Sequence, residues 1–398
     1  MDGANRSQPD PTGPAFTGPV PASAAEAAPT PATAPAATAG PTRAASSSAA
    51  GAPSPGPAPS PAPGSAAATA PATALATAPA TATPGGEPAA RAGGGGQTGE
   101  APRLLELPPA RLVELRGMAL RQAIAASEGR VLVAEMVAEA PPLVDGVTNG
   151  ELAAAFGADL LLVNVYDVTR PRITGLPGWD ENGAAPLAAL ARLAGRVVGI
   201  NLEPSERVPP GRRATPENAL QAVEQGARWI LLTGNPHTGV TVRGILEAAR
   251  AIRRVLDRDR LLLAAGRMHG AGAWYGQEPF LDEAALGELV AAGVDVVALP
   301  APATVPGVTV EQARRWVEAV HAAGALAMST VGTSQEGADQ ETIREIALMA
   351  KACGFDLHHL GDAGYHGVAV PENLLAYGLA IRGRRHTYRR MALSAWRA

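Results

Sequence analysis

The segment HHLGDAGYHG, residues 358–367, brings together side chains that could do chemistry. Histidines exchange protons near neutral pH, an aspartate can hold a metal ion, and glycine-rich turns can bind a phosphate group through backbone N–H groups. The segment could therefore be a metal site, a phosphate-binding turn or a merely polar loop. The choice depends on the element that the segment ends and on the residues that face it.

Further candidates for acid–base chemistry stand where short apolar runs end. We expect Glu203 or Glu135 to act as a base, because desolvation at the end of a buried run shifts the pKa of a carboxyl group. A histidine, His269 or His358, would act as the acid. Arg267 would hold an anion or a developing oxyanion. Together these residues predict proton transfer on a small substrate.

Two glycine-rich loops near the C-terminal end precede helical segments: GTSQEGAD (332–339) and GDAGYHG (361–367). Backbone N–H groups at the start of a helix bind phosphate readily, although the glycines could equally serve only to make tight turns. The residues that we expect to bind the substrate or its phosphate are Asn164, Asn201, Asn235, Gly332, Thr333, Ser334, Gly361 and Gly364.

Asp362 is a further catalytic candidate, and its charge complicates the phosphate hypothesis. The carboxylates of Asp362 and Glu336 would repel a phosphate, whereas an oxygen-ligated Mg²⁺ would remove the conflict. Such an ion would use Asp362, Glu203 or Glu135. The sequence has no HExxH or CxxC motif, so we expect no structural zinc site. His358 and His359 are adjacent, and a strand would therefore turn at most one of them toward the cleft.

Short β-like runs alternate with helical segments from about residue 103 onward. This alternation predicts an α/β fold with a parallel sheet, and eight units within this length are typical of a (β/α)8 TIM barrel. A doubly wound sheet is the alternative, but no GxGxxG follows the first strand. An initial helix over 108–128 would cover the bottom of the barrel. The predicted strands are 131–137, 160–167, 196–203, 229–235, 261–268, 294–300, 325–332 and 355–361.

In a TIM barrel the active site lies at the C-terminal ends of the strands, where the candidate residues converge. The pattern of strand 3 is clearest: Val198, Ile200 and Leu202 form one face, and Asn201 and Glu203 lie on the other. Because the apolar face packs against the helices, we expect Asn201 and Glu203 to point into the barrel.

Residues 1–102 form a low-complexity segment rich in Ala, Pro, Thr, Ser and Gly. Such a composition cannot bury enough apolar surface to offset its chain entropy, so we expect a disordered tail before a barrel domain over 103–398. The N-terminus lacks the basic region and apolar run of a signal peptide, and no apolar run is long enough to span a membrane. We expect a cytoplasmic protein without a membrane partner.

The amino-acid composition argues against several further classes of chemistry and partner. Of the 33 basic residues only Lys351 is a lysine, and it lies in a predicted outer helix, which argues against Schiff-base catalysis. The single cysteine excludes an internal disulfide. A net charge of −4 does not favour a nucleic-acid partner. The arginine-rich C-terminal helix, IRGRRHTYRRMALSAWR, is better explained by a subunit contact, so we expect a homo-oligomer.

Several segments together resemble an uncharacterised bacterial family of TIM-barrel proteins: LLTGNPHTGV, ALPAPATVPGVTVE, GTSQEGAD, HHLGDAGYHG and IRGRRHTYRRMA. The likeness covers about residues 103–392. Members of that family are often labelled phosphoenolpyruvate phosphonomutase or haloacid dehalogenase-like hydrolase. The resemblance implies the barrel fold and supplies no catalytic residues. The first strand ends in AEMVAEAP, without the DxD pair that a haloacid dehalogenase uses.

The leading hypothesis is an enzyme that performs acid–base chemistry, as a lyase, isomerase or hydrolase, on a small anionic, phosphorylated metabolite. A second hypothesis is a sugar hydrolase whose carboxylate pair is Glu135 and Glu203. A third is a non-catalytic barrel that binds a metabolite and regulates a partner. No cofactor other than Mg²⁺ is expected.

Overall fold

The computed structural model describes residues 101–178, 185–234, 238–268, 283–332, 334–362, 364 and 366–395. Eight parallel strands close into a barrel in chain order, which confirms the predicted (β/α)8 fold. They are β1 Val131–Val137, β2 Leu160–Asn164, β3 Val197–Leu202, β4 Trp229–Leu232, β5 Leu262–Gly266, β6 Val296–Pro300, β7 Leu326–Val331 and β8 Leu357–Leu360. The predicted disordered tail lies, apart from residues 101 and 102, outside the described residues.

Helices follow each strand and form the outer layer of the barrel. Two short helices precede β1, namely α1 Pro109–Leu112 and α2 Gly117–Ala125. The outer helices are α3 Asn149–Ala155, α4 Pro186–Ala194, α5 Pro216–Glu224, α6 Val242–Arg253, α7 Glu283–Ala291, α8 Val310–Ala322, α9 Gln340–Cys353 and α10 Pro371–Ala392. Among the helices of the described part, none combines the length and apolar character needed to cross a membrane.

Strand side chains alternate between two apolar clusters. One cluster faces the outer helices and includes Leu132 and Ala134 of β1, and the other fills the barrel interior and includes Val131 and Val133. Both faces of each strand are therefore buried, as in other parallel sheets. Because the alternation has a period of two residues, Glu135 continues the inward row at the C-terminal end of β1. The same parity turns Asn164, Asn201, Thr233 and His359 inward.

The bottom of the barrel is covered by α1 and α2 rather than by the single predicted helix over 108–128. Leu112 and Leu120 belong to the interior cluster, so the covering role is as expected. Gly117 breaks the helix with a φ of 49°. A Cβ atom there would lie 2.3 Å from the carbonyl oxygens of Arg258 and Asp259. The chain must bend at a residue without a side chain because another loop approaches this closely.

The arginine-rich segment of α10 fastens this helix to the barrel. Arg390 Nε donates to Asp159 Oδ1 at 2.7 Å, Arg382 binds the other oxygen, and both side chains are buried. Arg390 Nη2 also donates to the carbonyl of Leu104 at 2.8 Å. Burial alone would raise the pKa of Asp159, but the two guanidinium groups outweigh it and lower that pKa. Part of the arginine-rich C-terminal segment therefore stabilises the fold.

His358 forms a second buried link between the barrel and α10. Its Nδ1 lies 3.0 Å from both Ser329 Oγ and the hydroxyl of Tyr377, and its Nε2 lies 3.1 Å from the carbonyl of Gly129. The carbonyl can only accept, so Nε2 carries the proton and Nδ1 accepts from a hydroxyl. Burial lowers the pKa of His358 to about 4 and keeps the ring neutral.

We predict that Asp159→Asn strongly destabilises the protein, because it leaves Arg382 and Arg390 buried without their counter-charge. Breaking a buried pair in this way costs about 3–5 kcal/mol of unfolding free energy. Urea denaturation followed by circular dichroism measures the change. The control is Glu318→Gln, which removes an exposed pair with Arg314 and should cost less than about 1 kcal/mol. Equal effects of the two substitutions would contradict the structural role of this pair.

We predict that His358 makes the protein less stable as the pH falls from about 6.5 to about 4. In that window the unfolded chain binds a proton at this histidine and the folded chain does not, so the free energy of unfolding rises with pH. The limiting slope from one such group is about 1.4 kcal/mol per pH unit. His358→Gln should flatten the pH dependence, and His366→Gln, an exposed histidine, should leave it unchanged. A dependence unaltered by His358→Gln would contradict the prediction.

Candidate functional site

A cavity of about 300 Å³ opens at the C-terminal ends of the strands. This is the end at which TIM barrels carry their active sites. The predicted site residues that line it are Glu135, Asn164, Asn201, Glu203, Gly332, Gly361 and Asp362. The barrel therefore brings residues from five strands or strand ends to one place, and Asn201 and Glu203 line the cavity as the parity of strand 3 predicts.

The other predicted site residues either lie outside the described residues or are not part of the described cavity lining. Asn235, His269 and Thr333 lie outside the described residues. Ser334 and Gly364 are exposed. Arg267 is buried just after β5, but the residue after β5 that lines the described part of the cavity is Met268. The strand ends at Gly266, so the parity argument for Arg267 does not hold beyond that point.

The prediction that His358 lies at the cavity is wrong, because the neighbouring His359 lines the cavity instead. His358 faces α10, whereas His359 continues the inward row of β8 after Leu357. The register of the barrel pairs His359 with Val133, two residues before Glu135. As a result His359 Nε2 lies 3.4 Å from Glu135 Oε2. Within the described residues, neither ring nitrogen of the fully buried His359 has a hydrogen-bond partner.

The loop after β8 returns to β1 and places Asp362 near this pair. Ala369 N donates to the carbonyl of Glu135 at 2.8 Å, which holds the loop along the end of β1. Asp362 accepts a hydrogen bond from Gly364 N at 2.8 Å, and the nearby Asn164 side chain lowers its pKa slightly. Burial raises the pKa of Asp362, and the charge of Glu135 raises it further.

The loop after β7 contributes Glu336 to the cavity. The sequence indicated Glu336 only as a carboxylate that would repel a phosphate. Glu336 lies in a 3-10 turn, Gln335–Gly337, after Ser334 with a φ of 69°. Asn373 Nδ2 donates to the carbonyls of Glu336 and Ala338, both at 2.8 Å, and so fixes this turn to α10. Burial raises the pKa of Glu336, and the charges of Asp362 and Glu135 add to the effect.

Glu203 lies in a different environment from the other carboxylates. Arg212, in the 3-10 turn Pro210–Arg212, donates to Glu203 Oε1 at 2.7 Å, and Thr238 Oγ1 donates to Oε2 at 3.1 Å. The charge of Glu203 is therefore balanced and both of its oxygens are engaged. Sequence analysis missed Arg212, because a loop residue nine positions after its partner carries no periodic signal.

The cavity thus contains a polar cluster with an excess of carboxylates. Glu135, Glu336 and Asp362 act electrostatically on one another and on His359. In the described part of the chain, no group of three or more His, Cys, Asp or Glu side chains is arranged to hold a metal ion. The expected Mg²⁺ site and phosphate site remain predictions, and the two loops proposed for phosphate carry Glu336 and Asp362 into the cavity.

Comparisons with solved structures find matches at low similarity. A candidate lyase/mutase from Burkholderia cenocepacia J2315 is 19% identical, with 61% of this chain and 81% of that chain covered and a TM-score of 0.39. A candidate fructose-1,6-biphosphate aldolase from Coccidioides immitis is 16% identical, with 70% and 99% covered and a TM-score of 0.43. A 2,3-dimethylmalate lyase, described as a PEP mutase/isocitrate lyase superfamily member, is 17% identical, with 65% and 82% covered and a TM-score of 0.38.

At these identities and TM-scores the likenesses carry no information on the reaction. No curated protein sequence matches the chain. A family model does match it over residues 105–397, which agrees with the resemblance to an uncharacterised family seen in the sequence motifs. This match spans most of the chain, and the protein therefore belongs to the family described as Domain of unknown function (DUF7916).

Proposed function

We propose that this barrel is an enzyme that transfers protons to and from a small substrate, with His359 and Glu135 as the reacting pair. The observation that carries the proposal is the fully buried imidazole of His359, which lines the cavity without a hydrogen-bond partner among the described residues. A buried polar group without a partner costs about 1–3 kcal/mol. A substrate that bonds to both ring nitrogens, or to one nitrogen and Glu135, would remove that cost.

Glu135 supports this role for His359 through its position. A carboxylate 3.4 Å from an imidazole nitrogen can orient the ring toward a substrate. The pair can therefore accept a proton from a substrate and return it, which is the cycle that lyases, isomerases and hydrolases share. The pair serves each of these three classes of reaction.

Asp362 or Glu336 is the proposed proton donor, and the other of the two stays ionised. A carboxyl group whose pKa is raised by burial and by neighbouring carboxylates keeps its proton at higher pH than usual, and can then act as a general acid. Glu203 is less suited to the base role expected for it, since Arg212 and Thr238 already engage its oxygens. This also weakens the alternative in which Glu135 and Glu203 form a sugar-hydrolase pair.

We predict that His359→Gln strongly slows turnover. The full chain would be incubated with a defined mixture of small metabolites, and consumed species would be identified by mass spectrometry. For any species that the unchanged protein consumes, His359→Gln should slow the reaction by at least about 100-fold, the usual contribution of a general acid or base. The control His321→Gln removes a histidine that pairs with Asp356 on the outer surface and should keep the rate.

A rate unaffected by His359→Gln would contradict this assignment. Saturable binding of a metabolite that never changes chemically would instead favour the regulatory barrel.

We predict that turnover falls as the pH rises through the raised pKa of the proton donor. Turnover falls because a general acid works only in its protonated form, and this form is lost at high pH. Asp362→Asn or Glu336→Gln, whichever residue donates, should remove the alkaline limb of the pH–rate profile. Stopped-flow or discontinuous assays between pH 5 and 9 would measure it. A profile whose alkaline limb survives both substitutions would exclude these carboxyl groups as donors.

A further inference from the structure

The cavity offers buried hydrogen-bond acceptors that nothing in the described protein satisfies. Glu336 Oε2 and Asn201 Oδ1 have no hydrogen-bond partner in the described part of the molecule. Glu336 is 6% exposed and Asn201 is 8% exposed, and both line the cavity. A buried acceptor left without a donor is costly, so the cavity is built to receive a group that brings donors.

The charges in the cavity also favour a ligand that brings hydrogen-bond donors. Four carboxylates line it, and the guanidinium that lines it in the described residues, Arg212, is engaged by one of them, Glu203. The remaining three, Glu135, Glu336 and Asp362, influence one another electrostatically and share His359 as their positively chargeable neighbour. Mutual repulsion among these carboxylates would fall if a ligand placed a positive charge between them.

We propose that the substrate of this site carries a protonated amine, which binds among Glu135, Glu336 and Asp362. An ammonium group presents three N–H donors, no acceptor and one positive charge, which matches unsatisfied acceptors in an acidic cavity. A bare phosphate presents acceptors and negative charge, so it fits neither feature. This inference rests on the proposed function only in using the same cavity, and it names the class of substrate.

An ammonium group fits the cluster better than a divalent metal ion does. A metal ion of the Mg²⁺ type needs several oxygen ligands at about 2.1 Å in near-octahedral arrangement. In the described residues, no group of three candidate ligands has the spacing for an ion. An ammonium group donates longer hydrogen bonds of about 2.8 Å and needs no fixed coordination number, so more widely spaced carboxylates can hold it.

The test measures binding by the full chain without turnover. Isothermal titration calorimetry and thermal-shift assays would compare ethanolamine and 1,4-diaminobutane with their uncharged counterparts, ethylene glycol and 1,4-butanediol. Inorganic phosphate and MgCl₂ complete the set. We expect saturable binding of at least one amine, at least about tenfold tighter than that of its uncharged counterpart. Binding of phosphate or Mg²⁺ without binding of either amine would overturn the proposal, and so would the absence of amine binding.

Matched variants locate the bound amine. Glu336→Gln keeps the size of the side chain and should weaken amine binding by at least about tenfold, whereas Glu345→Gln, an exposed glutamate on α9, should not change it. Asp362→Asn provides a second test if Glu336→Gln fails to fold, as judged by circular dichroism. Amine binding unchanged by both substitutions would also overturn the proposal.

The two proposals fail separately. Amine binding that persists in a protein without any turnover would support this inference and contradict the proposed function. Turnover that depends on His359 but acts on a substrate without an amine would support the proposed function and contradict this inference.

Discussion

The two-residue alternation of β8 decides what the cavity can do. His358 and His359 are adjacent, and the pleat sends one of them outward to Ser329 and Tyr377 and the other inward to Glu135. The outward ring has its hydrogen bonds satisfied and stays neutral, while the inward ring has no such partners among the described residues. A shift of one residue in this strand would turn His359 outward and away from Glu135.

The same closed barrel assembles groups that would otherwise repel one another. Glu135 comes from β1, Glu336 from the loop after β7 and Asp362 from the loop after β8. Backbone pairing of the last loop with β1 and the hydrogen bonds of Asn373 hold these carboxylates near one another. Folding therefore supplies the free energy that keeps an acidic, partly desolvated cluster in place, and the Asp159 network of α10 is part of that support.

Sequence reasoning predicted the fold well and the site in part. Alternating runs and helix caps are local signals, so the eight strands emerged close to their observed limits. The break at Gly117 was missed because its cause, the nearby carbonyls of Arg258 and Asp259, lies far away in the sequence. The strand LHHL has one leucine and one histidine on each face, so its parity could not be decided locally. Glu336 and Arg212 reach the cavity from loops, whose direction depends on long-range contacts.

The central claim is that His359, and not His358, shares the cavity with Glu135. Long-range ¹H–¹⁵N NMR of the full chain labelled with ¹⁵N-histidine tests it most directly, with Glu135→Gln as the perturbation and His359→Gln for assignment. The account predicts that the ring nitrogen resonances of His359 shift on Glu135→Gln and that those of His358 stay in place. A shift of the His358 resonances with no change at His359 would contradict it.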